Sequence, residues 1–146
     1  MLAAACLLVL AGSRADGVGD AILGIWNTTD SKSQVQIFRE KEKYFGKIIS
    51  LKEPNVPADG KSGLAGKPKT DYHNPKPELR QRPIIGLQIM SDFVPAGRNR
   101  WTSGIVYDPE SGKTYKCKLS LVGTNRLEVR GYVGVSLLGR TVTWTR

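Results

Sequence analysis

The sequence predicts an all-β protein, a small antiparallel up-and-down β-barrel of about eight strands with one long proline- and glycine-rich loop. Three observations support this prediction. Apolar residues recur at every second position in several short segments, which is the period of a strand and not of a helix. Turn-forming residues separate these segments. The first and last segments, "LGIWNTTD" and "TVTWTR", each carry a tryptophan, as expected if the two ends meet in a closed sheet.

The predicted strands cover residues 24–29, 34–39, 43–51, 84–90, 100–107, 113–122, 126–133 and 139–145. Most have one apolar and one polar face, as in an antiparallel sheet with one side in water. The apolar faces contain, in chain order, Gly24 and Trp26; Val35 and Ile37; Ile85, Leu87 and Ile89; Trp101, Ser103, Ile105 and Tyr107; Tyr115, Cys117, Leu119 and Leu121; Leu127, Val129, Gly131 and Val133; and Val142 and Trp144, with Arg140 and Arg146 on the same side.

The connections between the strands have the residues of tight turns. In "YDPESGKTY", Asp108 and Pro109 favour the start of a type I turn, and Gly112 suits a left-handed closing position. In "VGTNRL", Gly123 and Asn125 have the same use. These turns predict hairpins, and eight antiparallel strands joined by hairpins can close into a barrel.

Residues 52–83 interrupt the strand pattern and contain six of the eight prolines. Proline and glycine at this density exclude a long strand or helix. Within the segment, "NPKPELRQR" predicts one or two helical turns, with Asn74 as the cap and Pro75 at the first helical position. Connections of this length are usually functional or mobile, so we expect a lid over one end of the barrel.

The two tryptophans and the last residue predict how the barrel closes. If the first and last strands pair antiparallel, Trp26 lies near Trp144 and Arg146, and a guanidinium over an indole ring is a favourable contact. Gly24 would let the chain pass close beneath. We therefore expect Gly24, Trp26, Trp144 and Arg146 to close the barrel structurally without touching a ligand.

This arrangement resembles the glycine, tryptophan and arginine signature of the calycins, the lipocalin and fatty-acid-binding-protein group. Longer stretches resemble a bacterial secreted family known as domain of unknown function 2147: "GIWNT", "DYHNPKPELRQRPIIGLQI", "WTSGIVYDPESGKTYKCKL", "LEVRGYVG" and "LGRTVTWTR". The resemblance covers most of residues 16–146. It implies a small calycin-like barrel outside the cytoplasm, and it implies no particular activity.

Residues 1–15 have the pattern of a signal peptide. The apolar run "LAAACLLVLAG" is shorter than the roughly 20 residues that span a membrane. Ser13 and Ala15 are small residues in the positions that precede cleavage, so we expect cleavage after Ala15 and a single domain over 16–146. Cys6 lies inside the run, which disfavours a lipoprotein. Export, to the periplasm or the medium, would leave one cysteine and a net charge of +8.

Catalytic and metal-binding residues are scarce. His73 is the single histidine, and a nucleophile such as Cys117 would have to meet it across the fold, with Asp71 orienting the ring. Because Cys117 alternates with core residues, it is expected to be a buried hydrophobe. We predict no enzyme, no cofactor and no metal site. The basic residues are too scattered for a nucleic-acid site, although Arg98 and Arg100 lie just before Trp101.

The barrel interior is then the main candidate site. An eight-strand barrel can hold one small apolar molecule or can be filled by its own side chains. The candidate lining residues are Val35, Ile37, Ile85, Leu87, Ile89, Trp101, Ile105, Tyr107, Tyr115 and Leu119, with Leu127 and Val129 beside them. The predicted function is binding of a small apolar ligand or lipid in the bacterial envelope.

The alternative is an adaptor with a solid core. It would bind an anionic envelope component or a protein through six basic residues of the 52–83 loop: Lys61, Lys67, Lys69, Lys76, Arg80 and Arg82.

Overall fold

A computed structural model describes residues 17–58 and 63–146. The predicted signal peptide and its cleavage site therefore lie outside the described residues, as does Lys61. The eight strands form one closed antiparallel barrel in which each strand pairs with its neighbours in sequence. This confirms the predicted all-β, up-and-down fold.

The strands of the barrel are β1 (Gly24–Asn27), β2 (Ser33–Glu40), β3 (Lys43–Leu51), β4 (Gln88–Pro95), β5 (Arg100–Asp108), β6 (Lys113–Val122), β7 (Arg126–Tyr132) and β8 (Arg140–Thr145). Four single turns of 3-10 helix, each three residues long, complete the regular structure of the described part: Asp20–Ile22, Thr29–Ser31, Pro77–Leu79 and Ser136–Leu138.

The barrel is closed between β1 and β8 by one backbone pair and a side-chain clasp. Asn27 pairs with Thr145, and the Arg146 guanidinium carbon lies 4.3 Å from the centre of the Trp26 ring. The same guanidinium donates hydrogen bonds to the carbonyl oxygens of Ala21, Leu23 and Thr124 at 2.9 to 3.0 Å. The last residue thus fastens the chain segment that precedes β1.

That preceding segment covers the end of the barrel where β1 begins, which we call the closed end. Trp26 donates a hydrogen bond from its indole nitrogen to the Ile22 carbonyl oxygen at 2.8 Å. Asp20 accepts hydrogen bonds from the Tyr44 hydroxyl at 2.7 Å and from Arg39 at 2.9 Å. Both contacts lower the pKa of the Asp20 carboxyl, the Tyr44 bond most of all.

The half of the barrel next to the closed end is filled. A β-carbon built on Gly104 would overlap the Phe93 ring, and one on Gly46 would lie 2.7 Å from the Met90 sulfur. Phe93 and Met90 are both fully buried. Two large side chains therefore occupy the space that two glycines leave.

Two residues predicted to face the interior lie outside it. Ile85 is 47% exposed because β4 begins at Gln88 and not at residue 84. Gly86, with a φ of 93°, turns the chain within the preceding loop, and its amide bonds to Ile48. Ile105 is 42% exposed because the pairing of β5 with β6 shifts between Trp101 and Gly104. The prediction that these two isoleucines line the barrel is wrong.

The shift in β5 is a β-bulge at Ser103, whose φ of 61° is left-handed. A bulge adds one residue to a strand and so reverses which side chains point inward beyond it. Gly104 is buried and Val106 reaches the interior, whereas strict alternation from Trp101 would place Ile105 there.

The long connection between β3 and β4 folds back over the opposite end, which we call the open end. Backbone bridges join Asn55 to Pro68 and Thr70 to Pro83. The predicted helical turn is displaced: it spans Pro77–Leu79 with no side-chain cap. Asn74 is instead buried, and its side-chain oxygen accepts a hydrogen bond from the Lys76 amide at 2.9 Å.

Candidate functional site

The open half of the barrel contains a cavity of about 760 Å³. Its walls are side chains of the strands, together with side chains from the loop that crosses the open end. The strand residues are Ile48, Leu51, Ile89, Val106, Tyr107, Tyr115, Val129, Gly131, Val142 and Trp144; the loop residues include Val56, Leu64, Tyr72, His73 and Ile84. Most of this surface is hydrocarbon or aromatic ring.

Gly131 shows why this half is hollow. A β-carbon built on Gly131 would lie 3.5 Å from the nearest atom, in Tyr115, and 3.9 Å from Val106. These are ordinary contact distances, whereas the corresponding distances at Gly104 and Gly46 are clashes. Tyr115 and Val106 border the Gly131 position at contact distance and leave room for a methyl group, whereas the Phe93 ring fills the space beside Gly104.

The ten residues predicted to line the interior fall into three groups. Ile89, Tyr107 and Tyr115 lie in the cavity wall, as does Val129 beside them. Val35, Ile37, Leu87, Trp101 and Leu119 are buried, with exposures of 8% or less, but belong to the packed core and not to the cavity wall, and so does Leu127. Ile85 and Ile105 lie on the outside.

The four residues predicted to close the barrel also separate. Gly24, Trp26 and Arg146 form the clasp at the closed end, where Gly24 has a φ of 123° and a β-carbon would lie 3.8 Å from an Arg146 nitrogen. Trp144 is buried opposite Leu127 and contributes to the cavity wall.

Asp71 ties the long loop to the barrel wall. It is fully buried, and one carboxylate oxygen accepts a hydrogen bond from the Tyr107 hydroxyl at 2.6 Å. The other oxygen accepts bonds from Asn74 and Arg82, both at 2.8 Å. The Asp71 amide donates to the Arg82 carbonyl oxygen at 2.9 Å. We call Asp71, Asn74, Arg82 and Tyr107 the loop clamp.

The loop clamp shifts the ionisation of its two acidic members in opposite directions. Burial acts to raise the pKa of Asp71, but the bonds from Tyr107, Asn74 and Arg82 outweigh it, and the pKa is lowered. Burial, and next the bond to Asp71, raise the pKa of Tyr107 to about 12. At neutral pH, Asp71 is therefore a carboxylate and Tyr107 a neutral donor.

The residues considered for catalysis are separated by this arrangement. His73 lies in the cavity wall, and its ring stacks edge-on against Tyr72 at 5.4 Å. Both carboxylate oxygens of Asp71 face the other members of the loop clamp. Cys117 is buried outside the cavity wall, and burial raises the pKa of its thiol to about 12. Asp71 therefore holds the loop in place, and Cys117 packs in the hydrophobic core.

Within residues 17–58 and 63–146, no three histidine, cysteine, aspartate or glutamate side chains come together to hold a metal ion. No helix in those ranges is long and apolar enough to cross a membrane.

Charged side chains surround the mouth of the cavity. Lys32, Lys69 and Arg140 contribute cations, and Asp108 and Glu110 contribute anions. Arg140 pairs with Gly131, so its register matches that of the inward-facing residues of β8. No other described residue forms an ion pair or hydrogen bond with its side chain.

The closed eight-strand barrel and its tryptophan–arginine clasp define a calycin-like barrel protein. The chain belongs to the family described as "Uncharacterized protein conserved in bacteria (DUF2147)", whose model matches residues 24–146. No functionally curated protein matches the chain.

A solved structure supports the assignment to a calycin-like barrel. It is the protein HP1028 from the human pathogen Helicobacter pylori, which is described as belonging to the lipocalin family. The two chains share 29% sequence identity, and the match covers 85% of this chain and 81% of the other with a TM-score of 0.70. The lipocalin-like fold is typical of proteins that bind small molecules and are not enzymes.

Proposed function

We propose that this protein binds a small apolar molecule or lipid in the open half of its barrel, and that it does so outside the cytoplasm. The observation that carries the proposal is the cavity of about 760 Å³ with a largely apolar wall. Cavities that bind small molecules usually measure about 300–1,000 Å³ and are lined by apolar side chains with a few polar groups.

The construction of the cavity favours binding over a defect in packing. Protein interiors are normally filled, and the closed half of this barrel follows that rule through Phe93 and Met90. In the open half, by contrast, a β-carbon on Gly131 would meet only ordinary contacts with Tyr115 and Val106. The loop clamp, moreover, holds the loop as a wall of the cavity by a fully buried carboxylate, which is costly unless each partner is in place.

A single acidic group on the ligand would suit the mouth. Arg140 has inward register next to Gly131 and no described partner. The ligand class that fits is an amphiphile whose apolar body enters the barrel while its acidic group stays at the mouth.

The solid-core adaptor receives less support, because the open half is hollow. Three of its cations also have partners: Arg82 bonds to Asp71, Arg80 donates to the Asn74 carbonyl oxygen at 2.7 Å, and Lys69 lies 4.0 Å from Glu53.

Native mass spectrometry of the protein exported by its own host tests the proposal. We expect a fraction of the protein to carry one small molecule that organic solvent extracts. We also expect cell fractionation to recover the chain outside the cytoplasm. Cytoplasmic protein, or exported protein without an adduct that also fails to take up amphiphiles of several chain lengths, would contradict the proposal.

A further inference from the structure

The connection between β7 and β8 exposes an unusual amount of apolar surface. This 133–139 loop has the sequence "VGVSLLG". Val133, Val135, Leu137 and Leu138 are 69, 58, 90 and 80% exposed. They account for four of the ten large hydrophobic side chains that are exposed in the described part of the chain. Scattered exposed residues need no explanation, but a contiguous group of this kind marks an interaction site.

The loop is held in shape, so this exposure is part of the fold. Ser136–Leu138 forms a 3-10 turn, and the Ser136 carbonyl oxygen accepts hydrogen bonds from two Arg130 nitrogens at 2.6 and 2.9 Å. Arg130 also donates to the Thr141 hydroxyl at 2.9 Å. Gly139 sits so close to β7 that a β-carbon would lie 2.7 Å from the Gly131 carbonyl oxygen.

The loop stands beside the mouth of the cavity. Gly131 precedes it on β7, Arg140 follows it on β8, and both residues line the cavity. Whatever covers the 133–139 loop therefore also faces the route by which an apolar molecule would enter or leave the barrel.

The charge around the loop indicates what covers it. Four basic residues of 114–146 lie towards the loop: Lys116, Lys118, Arg130 and Arg140. Arg126 and Arg146 lie at the closed end, and the one acidic residue of this range, Glu128, bonds to Arg126 at 3.0 Å. The mouth also carries Asp108 and Glu110. Near the loop, Lys116 pairs with Tyr132 in the sheet, and the Lys118 ammonium lies 5.7 Å from the Tyr132 ring. An apolar tip above basic side chains matches a bilayer surface of acyl chains beneath anionic head groups.

We propose that the 133–139 loop inserts into the surface of an anionic phospholipid bilayer. Leu137 and Leu138 enter the boundary between head groups and acyl chains, and the neighbouring cations lie over the head groups. In this pose the cavity mouth faces the bilayer. Docking itself does not depend on the proposed ligand binding, but together they would let an amphiphile pass between membrane and barrel without crossing water.

Vesicle co-sedimentation tests this inference with two vesicle types: phosphatidylcholine alone, and phosphatidylcholine with phosphatidylglycerol at about three to one. We expect the wild-type protein to bind the anionic vesicles, and raised salt to weaken binding. The double variant Leu137→Ser/Leu138→Ser should bind about tenfold more weakly or worse, because two exposed apolar anchors are lost.

The matched control removes two exposed apolar residues from elsewhere on the barrel. Ile25 and Val122 are 47 and 45% exposed, on β1 and at the closed-end terminus of β6. The variant Ile25→Ser/Val122→Ser should bind vesicles as the wild type does, to within about twofold. Near-UV circular dichroism checks that both variants are folded.

Three results would overturn the inference: no binding of the wild type to anionic vesicles, undiminished binding of the Leu137/Leu138 variant, or an equal loss in the control variant. The loop could instead be covered by a second copy of the chain, and sedimentation without vesicles measures whether the protein forms a dimer. A dimer that the Leu137/Leu138 substitutions dissociate would also overturn the inference. Uptake of a soluble amphiphile without vesicles reports on the cavity alone, so failure of the proposed function is seen separately.

Discussion

Replacing Asp71 with asparagine tests whether the loop clamp holds the wall of the cavity. The substitution keeps the size of the side chain and removes its charge. One oxygen can still accept the hydrogen bond from the Tyr107 hydroxyl, which is now 2.6 Å long. The new amide group, however, faces the donor nitrogens of Asn74 and Arg82, which both lie 2.8 Å from the second carboxylate oxygen.

The expected cost follows from these two lost contacts. A hydrogen bond to a buried charged group contributes about 1.5–3 kcal/mol, which applies to Asn74. The Arg82 side chain is 38% exposed, so solvent screening reduces its share to about 0.5–1 kcal/mol. Together they predict a loss of about 2–4 kcal/mol in the free energy of unfolding, or roughly 10 °C in Tm for a domain of this size.

Chemical denaturation of wild type and Asp71→Asn measures this loss, and hydrogen exchange locates it. We expect faster exchange of the amides in 69–83 with little change in the barrel strands. The control is Asp92→Asn, since Asp92 is half-exposed and lies 3.6 Å from Lys43, a surface pair that contributes about 1 kcal/mol at most. If Asp71→Asn costs no more than the control, the clamp does not hold the loop.

Acid titration adds a second test of the same carboxylate. The pKa of Asp71 is lowered in the folded protein, so its contribution is present above the unfolded value of about 3.9 and is lost as the pH falls through the folded pKa. The stability difference between wild type and Asp71→Asn should therefore be constant near neutral pH and shrink below about pH 4. A difference that persists in acid would contradict the assigned charge.

Four further predictions concern other parts of the barrel. Gly104→Ala should lower the free energy of unfolding by about 1–3 kcal/mol, because Phe93 fills that space, whereas Gly131→Ala should cost nothing; equal losses would mean the halves are alike. Arg146→Met should lower the free energy of unfolding, measured by chemical denaturation, by about 2–3 kcal/mol, and an unchanged value would contradict a stabilising contact between Arg146 and Trp26. The pKa of Tyr107 is raised, so its stabilisation should be lost as the pH rises from 10 towards 12, more in wild type than in Tyr107→Phe. The Cys117 thiol should react with a disulfide reagent at pH 8 only after unfolding; rapid reaction of the folded protein would contradict its burial.

The strand pattern was readable from the sequence because alternation depends on local residues. β6 and β7, where apolar and polar residues alternate without interruption, lie within a residue of their predicted bounds. β4 was misplaced because its start depends on Gly86 and on contacts of the loop with β3, which join residues far apart in sequence. Local alternation carries no information about such contacts.

The inward face of β5 illustrates a second limit. Strict alternation placed the side chains of Trp101 and Ile105 on the same face of β5, but the bulge at Ser103 puts them on opposite faces. A serine in the left-handed region has no sequence signal comparable to a glycine. The glycine that follows, Gly104, was the one available hint, since an isolated glycine within a strand often accompanies a bulge.

The cavity and the loop clamp could not be predicted from the sequence for a related reason. Alternation predicts which side chains point inward in both halves, but not that Phe93 and Met90 fill one half while Gly131 leaves the other open. Asp71 was considered as a partner for His73, two residues away, whereas its hydroxyl donor, Tyr107, lies 36 residues along the chain. Both features depend on which residues the closed barrel brings together.

Titration of a fluorescent apolar amphiphile into three proteins tests the central claim most directly. Wild type and Gly131→Ala should bind one equivalent with similar affinity, since the alanine methyl meets no atom closer than 3.5 Å. Gly131→Phe places a ring in the cavity and should lose binding about tenfold or more while its circular dichroism remains that of a folded barrel. Equal binding by all three proteins, or none by the wild type, would contradict a ligand site inside the barrel.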